Sequence, residues 1–110
     1  MMNQKGNTMK YQTQKNYKGV SGSHLQGYIT VNYSKLKSLF GTPMKGDEYK
    51  TDAEWVVKFN DGTIATIYNY KDGKNYNGAK GTPKTKITNW HVGGFDKRAF
   101  DMINAIIASN

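Results

Sequence analysis

Between Tyr68 and Gly94 the chain gathers the side chains best suited to holding a nucleotide. Aromatic rings (Tyr68, Tyr70, Tyr76, Trp90) alternate there with cations (Lys71, Lys74, Lys80, Lys84, Lys86), amides (Asn69, Asn75, Asn77, Asn89) and glycines. Rings stack on bases, ammonium groups neutralise phosphates and amides read base edges. His91 precedes Val92-Gly93-Gly94, and consecutive glycines let a backbone approach a ligand and present N–H groups to an anion. Asp96 then opens a helix whose N-terminus favours negative charge. The competing reading is structural: Tyr68 and Trp90 as core aromatics, the lysines as a solvated rim, and the glycines as turn geometry.

Catalytic chemistry finds less support. The histidines, His24 and His91, are far apart, and no HExxH or similar ligand spacing is present. With no cysteine there is no thiol nucleophile, thiolate metal site or disulfide framework. Ser21-Gly22-Ser23-His24 lacks the strand-turn-helix setting of a nucleophile elbow and reads as a plain loop. Neither GxxxxGK[ST] nor GxGxxG occurs, and no cofactor or metal is implied. The expectation is a binding protein rather than an enzyme, with a hydrolase of the same ligand as the remote alternative.

The 110 residues have room for one domain, and with 36% hydrophobic residues its core must be compact and aromatic. No apolar run is long enough for a membrane span, and no signal-peptide h-region opens the chain, which predicts an intracellular protein. The net charge of +8 points to an anionic partner. Residues 1 to 18 carry four lysines (Lys5, Lys10, Lys15, Lys18) and no acid, and read as a basic, disordered leader before a single domain over 19 to 110. Arg98 is the only arginine, which argues against a dedicated sequence-reading DNA-binding protein.

The elements that must position these groups form an α+β domain with a small antiparallel sheet of about four strands. Tyr28-Ile29-Thr30-Val31 predicts a first strand. A short helix follows, capped by Ser34, carrying Leu36, Leu39 and Phe40 and ended by Gly41. Residues 53 to 70 predict a central hairpin closed by Asn60-Asp61-Gly62, in which Asp-Gly accommodates positive φ. Residues 71 to 84 read as a long loop, and 86 to 92 as the last strand. A C-terminal helix capped by Asp96 presents Ala99, Phe100, Ile103 and Ile106 to one face of the sheet.

Four segments, Leu25-Gln26-Gly27-Tyr28-Ile29, Lys50-Thr51-Asp52-Ala53-Glu54-Trp55, Asp61 to Lys71 and Trp90-His91-Val92-Gly93-Gly94, resemble recurring blocks of a family of small tailed-bacteriophage accessory proteins. The resemblance runs from Leu25 to the C-terminal helix. It implies a viral counter-defence role in the host bacterial cytoplasm, one class of such proteins being sponges for CBASS-type cyclic nucleotide signals. Resemblance and chemistry together imply a homo-oligomer that sequesters a cyclic dinucleotide-like second messenger between subunits. Tyr28, Tyr68, Tyr70 and Trp90 would stack on bases, and Lys71, Lys74 and Arg98 would meet phosphates. Asn69, His91 and the Gly93-Gly94 backbone would supply hydrogen bonds. The alternatives are an anti-CRISPR-like inhibitor of a host defence protein and a non-specific nucleic-acid-binding factor.

Overall fold

The computed structural model describes residues 10 to 110. Among these residues five antiparallel strands form one sheet: β1 (Tyr11–Gln14), β2 (His24–Thr30), β3 (Glu54–Phe59), β4 (Ile64–Tyr68) and β5 (Asn89–Gly94), in the spatial order β1-β3-β4-β5-β2. Helix α1 (Tyr33–Phe40) follows β2, the four-residue α2 (Lys74–Asn77) interrupts the β4–β5 connection, and α3 (Lys97–Ala108) closes the chain. Among the described residues no helix is long and apolar enough to cross a membrane.

The fold class is α+β, but its details depart from the sequence expectation. Tyr11–Gln14 lies within the stretch read as a disordered leader, yet it pairs with β3 from Tyr11↔Phe59 to Gln14↔Val56. Tyr11 drives this: its ring packs on Phe40 and Phe59, at 5.4 and 6.0 Å between centroids, and its hydroxyl donates to the Leu39 carbonyl at 3.0 Å. A four-residue strand with one apolar anchor carries too little alternation to announce itself. Of the rest of the expected leader, residues 10 and 15 to 18 are described, and residues 1 to 9 lie outside the described residues. The helix after the expected first strand therefore follows the second strand. Its cap is Asn32, whose side chain accepts from Lys35 N–H at 2.8 Å, while Ser34 donates to that same Asn32 oxygen.

The β3–β4 turn also differs from a two-residue primed turn. Gly62 N–H donates to Phe59 O, Phe59 N–H donates to Thr63 O, and the positive φ falls on Gly62 alone, at 94°. This is a type I turn with a glycine bulge, and Asp61 stabilises it by accepting from Thr63 N–H at 2.9 Å. The expected long loop contains α2 and short 3₁₀ turns at Gly78–Lys80 and Lys84–Lys86, so β5 begins at Asn89 rather than 86.

Strand alternation sorts side chains onto two faces. The inner face carries Trp55, Val57, Ala65, Ile67, Trp90, Val92 and Ile29, which with Leu36, Phe40, Ala99 and Ile103 of the helices form the core. Trp55 and Trp90 meet edge to face at 5.4 Å. Their indole N–H groups donate to Gly41 O at 2.7 Å and Val31 O at 3.0 Å, backbone groups that flank the two ends of α1. Gly27 leaves room for Phe100, which approaches within 2.6 Å of where a Cβ would stand.

Because β1 and β2 occupy opposite edges, residues 15 to 23 must cross a face of the sheet. They cross the outer one: Gly19 lies against Ile64, and Gly22 against Phe95. Val56 and Thr66, which point away from the helices on the face the strap crosses, are also buried.

Candidate functional site

On the part of the outer face beyond the strap, one cross-strand row runs Glu54↔Tyr68↔His91↔Tyr28 through β3, β4, β5 and β2. Directly opposed residues on neighbouring strands bring their side chains into contact. The rings of Tyr28, Tyr68 and Tyr70 accordingly stand 4.9, 5.3 and 5.4 Å from the His91 ring. Tyr28 is 65% and Tyr70 40% exposed, so the cluster is open to solvent rather than part of the core. Lys71 extends it: its ammonium lies 5.2 Å from the Tyr70 ring and 5.6 Å from Tyr76, which in turn packs on Tyr49 at 5.4 Å.

Electrostatics at the row favour neutral rings. Burial holds the His91 imidazole below its ordinary value, against the opposing pull of the Asp72 carboxylate. Its Nδ1 is shielded from solvent and has no hydrogen-bond partner among the described residues. The Tyr68 phenol is pushed up by burial, then by Glu54, Tyr70 and Tyr28, and stays protonated. At the end of the row, burial and then the Asp47 charge raise the Glu54 carboxyl to about 7, with the Tyr17 hydroxyl opposing them. Asp47 moves the other way: burial would raise it, but the N–H groups of Tyr49, Lys50 and Thr51 hold its carboxylate ionised.

Glu54 therefore imposes a pH dependence. Its folded value, about 7, exceeds the ordinary 4.5, so between these limits the folded protein binds more protons than the unfolded chain. The stabilisation is full below 4.5 and is lost as pH rises through 7. His91, lowered in the fold, works in the opposite sense below its ordinary value. Urea denaturation of the wild type and Glu54→Gln at pH 5, 6, 7 and 8 isolates the first effect. The stability difference between the two proteins should shift steadily in favour of the glutamine variant as pH rises.

Of the sequence-predicted residues, the fold brings Tyr28, Tyr68, Tyr70, Lys71 and His91 together. Lys74 is exposed at the start of α2. Trp90 does not stack on a ligand: it is fully buried, one position out of phase with His91 and therefore on the inner face. Asn69 is also fully buried and its hydrogen bonds are all internal. Its Oδ1 accepts from Asp52 N–H at 2.7 Å and Ala53 N–H at 3.1 Å, while Nδ2 donates to Asp52 and Asp72, both at 2.9 Å. That network anchors the start of β3 to the end of β4.

Gly93 and Gly94 form no anion-binding turn. Both are buried within β5, neither has positive φ, and they face Thr66 and Ala99, where a larger side chain would collide. Close packing, not ligand approach, requires glycine there. Arg98 sits at the far end of the sheet, where its guanidinium lies 3.9 Å from Asp61 at the hairpin tip. Sequence reasoning weighed Glu54 only as an acid or base without supporting spacing, since its row exists only once strand register is fixed, and it missed Tyr17, which reaches Glu54 only through the strap.

No family model matches the chain, and no curated protein matches it in sequence.

Proposed function

We propose that the protein binds a nucleotide through the outer-face row and releases it unchanged, a sequestering rather than a catalytic role. The observation that carries this reading is the ring cluster of Tyr28, Tyr68 and Tyr70 around a neutral His91, partly exposed and bordered by Lys71. Exposed rings on a sheet are a stacking platform for bases, and a lysine at their margin supplies charge for a phosphate. In the counter-defence setting implied by the phage resemblance, the ligand is a cyclic dinucleotide-like second messenger. Tyr28 sits on β2 at the sheet edge, so a second subunit against that edge would enclose a ligand that one open face leaves half exposed.

Calorimetry with a panel of cyclic dinucleotides and ADP-ribose-type nucleotides tests the proposal. Micromolar binding is expected, with the nucleotide recovered intact by chromatography after denaturation. Breakdown products would instead favour a hydrolase, and no binding to any member would remove the second-messenger reading. A single-stranded nucleic acid is the second reading, favoured by a lysine-lined groove on the same face.

A further inference from the structure

On the other side of the strap from the aromatic row, the outer face forms a groove of about 940 Å³. Its walls come from three separate segments, contributing Lys10, Lys18 and Lys58 together with the amides of Gln12, Gln14 and Asn60. Tyr11, Phe59 and Ile64 also line it. Among the described residues Asp61 is the one carboxylate lining this groove, and it already accepts from Thr63 N–H and faces Arg98. Three lysines thus line a concavity whose described lining holds a single carboxylate. The chain's own preceding residues are a poor counterpart, since 1 to 9 carry Lys5 and no acid.

We propose that this groove holds the sugar-phosphate backbone of a single-stranded nucleic acid whose bases stack on Tyr28, Tyr68 and Tyr70. The inference rests on the base-stacking reading above and names the ligand class that fits the whole outer face. Lys58 and Glu54 mark the two regions on one strand, four residues apart, or about 13 Å at the usual strand rise. That exceeds the distance from a base to its own phosphate, so a mononucleotide engages the row alone while a strand passing over the strap engages both. Of the amides beside the lysines, Gln14 Nε2 already donates to Lys18 O at 3.0 Å, and those of Gln12 and Asn60 would supply hydrogen bonds to phosphate and sugar without selecting sequence. Among the described residues the cations of the groove are all lysines, which suits the same sequence-tolerant role.

The test compares fluorescently labelled (dT)10 with cyclic di-AMP on the full chain, using wild type, Lys18→Glu/Lys58→Glu and the milder Lys18→Gln/Lys58→Gln. Both lysines are exposed, and circular dichroism melting verifies that each variant folds. The charge reversal should weaken (dT)10 binding about tenfold or more and flatten its log–log salt slope by about 1.4, the contribution of two phosphate contacts on a single strand. The glutamine pair should give the same flattening, and cyclic di-AMP binding, where present, should be unchanged. If (dT)10 binds equally well to all three proteins, the groove is not its path and base stacking on the row stands. Binding of cyclic di-AMP without (dT)10 also overturns the groove alone. Binding of neither overturns both readings.

Discussion

Replacing Trp90 by alanine is expected to destabilise the protein by about 3–5 kcal/mol, the range for truncating a buried aromatic. The residue is fully buried, meets Trp55 edge to face and Tyr33 at 6.4 Å, and donates to Val31 O. Removing the indole opens a cavity at the centre of the aromatic core and strands a carbonyl at the entry to α1. In a small domain whose whole stability is about 5–15 kcal/mol, that loss is a large fraction. Urea denaturation measures it directly. Tyr28→Ala is the control: at 65% exposure it should change stability only slightly. A stable Trp90→Ala protein would show that the indole lies outside the core.

Asn69→Ala is expected to cost about 3 kcal/mol, because it leaves buried N–H groups unpaired at about 1–3 kcal/mol each. The amide is the common partner of Asp52 N–H, Ala53 N–H and the carboxylates of Asp52 and Asp72. Without it two carboxylates face each other across the vacated space. Asp52 also accepts from Asn75 N–H at 3.0 Å, so the loss should propagate to α2. Hydrogen exchange should show faster exchange over residues 71 to 82 and at Ala53, with β5 less affected. Unchanged protection there would mean that the loop is held by other contacts.

These two residues show where the sequence was legible and where it was not. Periodicity and caps carried much of the fold: strand formers either side of Asn60-Asp61-Gly62 became β3 and β4, and Asp96 caps α3 by accepting from Arg98 N–H. Composition drew attention to the stretch from Tyr68 to Gly94 but could not assign faces within it. Trp90 and His91 are neighbours in sequence and opposites in the sheet, and only the pairing Ile29↔Trp90 and Tyr28↔His91 separates core from surface. Gly93-Gly94 reads as a turn in isolation because its reason, contact with Thr66 and Ala99, is long-range. The strap, and with it the division of the outer face into a ring-lined and a lysine-lined half, follows from the edge positions of β1 and β2. No local signal encodes that topology.

The sharpest test of the outer-face account is a ¹H–¹⁵N NMR titration of the full chain with (dT)10 and, separately, with cyclic di-AMP. With at least one probe, shifts should include Tyr28, Tyr68, Tyr70, Lys71 and His91, extend to the groove residues Lys18 and Lys58 when the probe is (dT)10, and leave the C-terminal half of α3 unmoved. Tyr28→Ala/Tyr70→Ala should then lose about 1–3 kcal/mol of binding for each base no longer stacked. Shifts confined to the Asp61–Arg98 end of the sheet, or no shifts with either probe, would contradict it.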